Sequence, residues 1–527
     1  MINLLFVLFF LIGCSNNEVA QPEEFEYVDY VEYAQEDDYV TNEVLSLNTT
    51  SNKSDHELRL AMHTPKTLNP IYNMDETVDQ VMHLIFDTLV NIETDGNVTT
   101  NLAEYWSVNT SDNSITIVLR DDVYWHDGQL LQADDVVYTI GAIKAAPDSI
   151  YKVNVDNMSY ALELSPNTVQ IFYNQPFSGM LQTLFIPILP QHIYDVPYEQ
   201  AAAIEPVGSG PFYYESSVLL KSLSLARNLV YFKGAPSITN IEVTLTPDHE
   251  ATLSAFEQDL IDVIYTEVMD WGKYTKDKSA NIYAIPTQKY EFIGINFSNP
   301  SLSKLGVREA LLYGLDRESL VNIYYLGQGT VTDTPVSPNN YLYDNTLSIT
   351  KYDRETARLL LAKEGFEYDK ELQFKLLVNK NNPERLQVAQ GIARTYSEVG
   401  INIVIEEVDV ETFTKRVYSG NYELFLGGWQ LSYIPDLTFA FHSEGEHNFI
   451  NYNNSEMDVL LGTAFRTHPS LLKDVYSKLQ QFIIQDIPYV SLFFKNGALI
   501  TKPCVKGTIS PDPLNIFNDI HLWEVAN

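Results

Sequence analysis

Leu372-Gln373-Phe374-Lys375-Leu376-Leu377-Val378 and Tyr422-Glu423-Leu424-Phe425-Leu426-Gly427-Gly428-Trp429 bracket the most legible part of this chain. The first reads as a strand. Leu386, Ala389, Ala393 and Tyr396 then recur at spacings of three, four and three, a helical face closed by Gly400. Ile401, Ile403 and Ile405 alternate as a second strand. A short helix carrying Phe413 and Val417 ends near Gly420, and Tyr422–Trp429 is the third strand. The order is βαβαβ, and right-handed crossovers make the three strands parallel. Ligands of open α/β sheets bind beyond the carboxyl ends of the strands. Those ends are Val378-Asn379, Val408-Asp409 and Gly428–Ser432. Two adjacent glycines before a tryptophan suit close backbone approach to a ligand with an aromatic wall beside it.

Outward from this unit, Leu58, Leu60 and Met62 alternate on one face of a strand that the prolines of Thr64–Pro70 terminate. Ser114–Arg120 alternates as another strand, and Asp127-Gly128 marks a turn. Val307, Leu311 and Leu315 predict a helix over Val307–Leu326 ending at Gly327. Arg354–Glu364 is a second predicted helix, with Asp353 as N-cap and Gly365 as C-cap.

The chain has 527 residues, enough for about three domains, each with its own core. Its 45% hydrophobic content excludes wholesale disorder. Seventy Asp+Glu against 33 Lys+Arg give a net charge of −37, which repels polyphosphate and argues against nucleic-acid binding. Two cysteines make no disulfide framework.

The N-terminus carries an address. Leu4–Ile12 is an apolar run too short for a membrane span and suited to the h-region of a secretion signal. It ends in Leu11-Ile12-Gly13-Cys14, which resembles the bacterial lipobox, although no Lys or Arg precedes the run. Residues 1–14 are thus expected to be a signal peptide, with Cys14 as the lipid-attachment site. Ser15–Glu57 holds twelve acids against Lys53 and lacks hydrophobic periodicity, so 15–57 reads as an extended acidic tether.

Four stretches, in order, resemble the extracellular solute-binding proteins of family 5, the oligopeptide-, dipeptide- and nickel-binding receptors of ABC importers. The first runs from Leu102–Trp106 through Ile115–Gly128 to Ala133–Tyr138. The second is Val207-Gly208-Ser209-Gly210-Pro211-Phe212, similar to a Gly-Thr-Gly-Pro-Tyr element. The third links Asn296-Phe297, Val307–Leu311 and Leu315–Glu318. The fourth is Gly428-Trp429 with Tyr433 and Pro435-Asp436. The resemblance covers roughly Leu58 to the C-terminus. It implies an α/β fold, a type II clamshell of two lobes like the periplasmic binding proteins, with an extra subdomain in the first lobe. The implied division is 58–90 and 205–295 in lobe I, 91–204 in the extra subdomain, 296–488 in lobe II and 489–527 returning to lobe I. It further implies a monomer on the outer face of the cell membrane that captures a solute, performs no chemistry, needs no cofactor and passes its cargo to ABC permease subunits.

One position departs from the family. Peptide-binding members usually carry Asp in a Trp-x-x-Asp-Tyr loop, where it neutralises the ligand's α-ammonium. Ser432 stands there in Trp429-Gln430-Leu431-Ser432-Tyr433. A neutral hydroxyl does not replace a buried carboxylate against a cation. Either Asp436 supplies the charge or the ligand lacks a free amine. The candidate ligand-binding residues are Trp429, Ser432, Tyr433, Asp436, Gly428, Thr64, Tyr290 and Phe292; core packing is the alternative for Trp429, and hinge packing for Tyr290 and Phe292. Trp125 and His126 read as structural. His442 and His447 are five apart, unsuited to one helical face, so no metal site is expected. Cys504 is expected to be buried. No Gly-x-Ser-x-Gly, His-Glu-x-x-His or Walker loop occurs. The resemblance implies an extended peptide as the ligand; an oligosaccharide or metal chelate in the same fold, and a secreted hydrolase, are the alternatives.

Overall fold

The computed structural model describes residues 56–267, 274, 279–366 and 372–526. Cys14, the signal segment and nearly all of the tether lie outside them.

Leu58, Leu60 and Met62 are buried as their alternation requires, in a strand Glu57–His63. It pairs in parallel with Asn240–Thr246, and Ser222–Arg227 and Phe212–Val218 extend the sheet antiparallel. A second four-stranded sheet takes Ala103–Asn109, Ser114–Leu119, Thr168–Tyr173 and Met158–Ser165 in that order. The helix Ala133–Ala145 packs on its inner face. The turn between them is structural. Trp125 Nε1 donates to Asp135 Oδ2 at 3.2 Å, while His126 accepts from Gly208 N and its Nε2 lies 3.0 Å from Gly210 O. Both sheets share one apolar core that reaches from Leu58 to Val525.

The predicted βαβαβ unit is present. Leu372–Asn379 pairs in parallel with both Ile401–Val408 and Leu424–Gln430, and the helices Pro383–Ser397 and Val410–Tyr418 make the crossovers. These strands belong to a larger mixed sheet. Leu424–Gln430 pairs antiparallel with Asn281–Ile295, which pairs with Tyr489–Thr501, which pairs with Val263–Thr266. One apolar cluster lies on each face of the second-lobe part of this sheet.

The predicted helix Val307–Leu326 is two helices, Leu305–Tyr313 and Arg317–Tyr324. Gly314 ends the first, and Asp316 caps the second by accepting from Ser319 N at 3.0 Å. A side chain designed for an N-cap outcompetes continuation of the apolar stripe. The break lets Arg317 turn inward, where it donates to Thr332 O, Ser491 O and Thr350 O. Cys504 is half-buried rather than buried, with Sγ 3.8 Å from Asp262 Oδ1.

The long strands Asn281–Ile295 and Tyr489–Thr501 join the lobes. Ile285 and Leu499 belong to the first-lobe core, whereas Tyr290, Phe292 and Phe494 belong to the second. Their pairing breaks where the lobes meet: Pro286 opposes Asn496 and Tyr290 opposes Phe494. Thr287, Gln288 and Lys289 therefore face Lys495 alone, a bulge that bends the pair.

Gly208 marks where the motif segments lock together. A Cβ there would lie 2.0 Å from Ile85 O, a backbone atom with no room to retreat. Gly208→Ala is expected to cost about 2 kcal/mol or more and to lower the melting temperature by several degrees in a thermal scan.

Candidate ligand-binding cleft

The carboxyl ends of the parallel strands and the bulge bring a cluster of charged side chains together near the lobe junction. Glu291 is buried beside the bulge and accepts from Arg385 Nε and NH2, both at 2.9 Å. Lys495 lies 3.3 Å from Glu291 and 3.4 Å from Glu384. Arg385 and Glu384 sit in the first turn of Pro383–Ser397, where Asn382 caps the helix. Burial pushes Glu291 up, but Arg385 and Lys495 outweigh it and hold the carboxyl below its usual range. Lys289 ion-pairs with Glu267, with Glu76 of the first lobe also near; burial lowers its pKa.

Gly428 serves this network. A Cβ there would lie 2.4 Å from Arg385 NH2 and 2.8 Å from Glu291 Oε1. The space its missing side chain leaves is filled by the guanidinium–carboxylate pair. Trp429 points to the opposite face of the sheet. It is buried in the second-lobe core, stacked 5.9 Å from Phe292 and edge-on to Phe439 at 4.9 Å. Phe292 in turn stacks on Tyr489 at 3.9 Å, and Tyr290 is buried with its hydroxyl 2.6 Å from Ser491 Oγ.

The loop after Trp429 crosses between lobes. Ser432 Oγ donates to Ile434 O at 2.5 Å, spending its proton on the loop itself. Asp436 is largely buried and accepts from Thr438 N at 3.0 Å and Thr438 Oγ1 at 2.6 Å, shaping the turn into Thr438–Phe441. Burial pushes its pKa up despite those bonds. Tyr433 enters the core cluster of the first lobe. Its ring packs on Gly96, at the tip of the hairpin Val90–Thr100, and its hydroxyl lies 3.5 Å from Asp512 Oδ1. Tyr341 N donates to Asp95 O at 2.9 Å, and Ser178 N donates to Phe465 O at 2.8 Å, so the lobes touch at further points. Thr64 is exposed at the end of the first strand. Beside the hinge, a cavity of about 420 Å³ opens between Glu93-Thr94, Tyr283, Ala284 and Pro286, and Ser510-Pro511.

The sequence candidates thus divide. Tyr433 bridges the lobes, and Ser432 and Thr64 lie at strand ends. Trp429, Tyr290 and Phe292 come together as one aromatic stack in the second-lobe core. Periodicity alone does not pick out this charged cluster, although Glu291 interrupts the apolar run Tyr290–Ile295 and Lys495 directly follows Val490–Phe494. Among the described residues no group of three His, Cys, Asp or Glu is placed to hold a metal, and no helix is long and apolar enough to cross a membrane.

Two lobes joined by crossing strands beside this charged cluster are the architecture of a two-lobed binding protein. A sequence model of the bacterial extracellular solute-binding proteins, family 5, matches residues 97–449, and the chain belongs to that family. It is a substrate-binding protein of an ABC importer, in a family of receptors rather than enzymes. It is 25% identical over 501 residues to the oligopeptide-binding protein AppA of Bacillus subtilis, covering 88% of this chain and 90% of that one. The crystal structure of the ABC transporter substrate-binding protein CtaP of Listeria monocytogenes superposes with a TM-score of 0.76 at 22% identity, covering 90% of this chain and 100% of that chain. A nickel ABC transporter structure from Bacillus halodurans gives 0.78 at 20%, covering 89% and 100%.

Asp512, beside the inter-lobe contact of Tyr433, is expected to make stability pH-dependent. Burial pushes its pKa to about 7, against the opposing bonds from Leu514 N, Thr94 and Tyr433. An unfolded aspartate titrates near 3.8, so between those values the folded chain holds the extra proton. Stability from this group is therefore lost as pH rises through that window. Asp512→Asn keeps the acceptor for Leu514 N without the charge. Melting temperatures from pH 4 to 8 should show the variant gaining on the parent as pH rises; Asp79, also raised to about 7, leaves a residual slope.

Proposed function

We propose that this chain captures an extended peptide between its lobes and delivers it to an ABC permease. The observation that carries this reading is the break at Thr287–Lys289 in the two strands that join the lobes, with Tyr433 reaching across to the first-lobe core. A bulged two-strand joint bends more readily than a packed domain interface, and closing it around a guest excludes water from polar groups that the guest must then satisfy. The ligand would lie between the Gln430–Tyr433 loop and the first-lobe strand ends at Thr64, above Lys289, Arg385 and Lys495. Backbone N–H and C=O groups at strand ends would pair with a peptide main chain, while waters would fill the space around its side chains. AppA's printed name, an oligopeptide-binding protein, supports the same ligand class.

A second reading has its own observation. Ser432 is neutral and committed to Ile434 O, and Asp436 is committed to Thr438, so neither offers a carboxylate held ready for an α-ammonium. That favours an amine-blocked peptide or a non-peptide cargo such as a metal chelate. A thermal-shift screen with free peptides, N-acetylated peptides, oligosaccharides and nickel chelates separates the two. A rise of several degrees is expected with peptides at concentrations far above the dissociation constant. Stabilisation by non-peptides only would overturn the first reading.

Anchoring at Cys14 belongs to the same proposal and places the receptor on the outer face of the membrane. Metabolic labelling with palmitate should mark the parent chain and leave Cys14→Ala unlabelled. Equal labelling of both would refute the anchor.

A further inference from the structure

The strands Phe212–Val218 and Ser222–Arg227 meet in a hairpin whose tip is Leu219-Leu220-Lys221. Leu219 is 89% exposed and Leu220 72%. Leu220 also has φ +56°, a left-handed conformation that turn chemistry gives to Gly or Asn. Two leucines in water, one of them in a backbone state costly for a leucine, contribute nothing to the core of this lobe. Such an outlier points to a function outside the fold.

Its position narrows that function. Ser222 aligns with Thr244, which aligns with Ala61, and Leu245 N donates to Lys221 O at 2.9 Å. The tip therefore emerges at the carboxyl end of Glu57–His63, the end that carries Thr64. There His63 contacts Asp75 at 2.8 Å, and the neighbouring Glu76 lies close enough to act on Lys289 of the hinge. The leucines thus stand on the cleft side of the first lobe, at its outer edge. A receptor that empties its cleft into a membrane channel must present that side to the channel.

We infer that Val218–Lys221 docks into an apolar recess on the outward face of the permease's membrane-spanning subunits. Leu219 and Leu220 would fill the recess, and Lys221 would meet an acidic or carbonyl acceptor at its rim. A lipid surface is the poorer occupant. The tip bears a single cation in a chain of net charge −37, and anionic headgroups repel such a protein.

This inference rests on delivery to a permease, so the test keeps the two apart. The photo-crosslinking residue p-benzoylphenylalanine is placed at position 219, at Met74 on the same cleft side, or at Leu359, which is 63% exposed on the second-lobe helix Arg354–Lys363, in full-length protein in its own cells. Adducts to an ABC membrane-spanning subunit, identified by mass spectrometry, are expected at 219 and absent at 359. In a Leu219→Ser, Leu220→Gly variant the Met74 adduct should fall at least tenfold, with the melting temperature of the purified protein unchanged or raised. A permease adduct at Met74 that survives the double substitution would overturn the docking tip while leaving the importer reading intact. Adducts at 219 to lipid alone, or a melting temperature lowered by several degrees, would also overturn it. No permease adduct from either cleft-side position would count against both.

Discussion

Everything in this receptor depends on the pairing of Asn281–Ile295 with Tyr489–Thr501. Each strand begins in one core and ends in the other, so the lobes cannot separate without breaking main-chain hydrogen bonds. The same pair is interrupted where the lobes meet, and again between Glu291 and Phe292. Three residues, Thr287 to Lys289, stand against Lys495, and Thr287 Oγ1 takes up the strand's carbonyl at Lys495 O with a 2.8 Å bond. Pairing on either side, from Asn281 opposite Thr501 to Pro286 opposite Asn496 and from Tyr290 opposite Phe494 onward, holds the two halves together, while the bulge between them bends the strands.

The bulge also explains the buried charges. A break in a ladder leaves room for side chains that a regular strand would crowd out, and here Lys289 and Lys495 occupy it. Two half-buried cations need partners, and Glu267, Glu291 and Glu384 supply them, with Arg385 closing the circuit on the buried Glu291. Gly428 is part of the same solution, since any side chain there would displace the pair. Such a network is weak as a source of stability but strict about geometry, because removing one member strands another in a dry site. That strictness suits a junction where two lobes must meet in one arrangement.

Tyr433 couples the walls. It leaves the second lobe directly after the strand that carries Trp429, and its ring settles among first-lobe residues on the bare surface of Gly96. The ring is thus buried between the lobes, with its hydroxyl 3.5 Å from the buried Asp512 carboxyl.

The sequence by itself determined the local order. The alternation of Leu58, Leu60 and Met62 and the βαβαβ run from Leu372 to Trp429 are legible because period two and period 3.6 follow from backbone geometry. Asp353 and Gly365 likewise bound their helix through a side-chain acceptor and a positive φ of +89°, both local effects. The break at Gly314–Asp316 lay in the sequence too, yet a continuing apolar stripe masked it. What only the tertiary structure decided was direction. Trp429 and Gly428 are neighbours, and alternation sends them to opposite faces, but nothing local says that the tryptophan's face is a core and the glycine's is filled by Arg385 from 43 positions earlier. Nor does local pattern bring Asp512 to Tyr433, 79 residues apart, or split one sheet between two lobes at a three-residue bulge. Propensity acts over a few residues, whereas a cleft is made by which distant surfaces exclude water together.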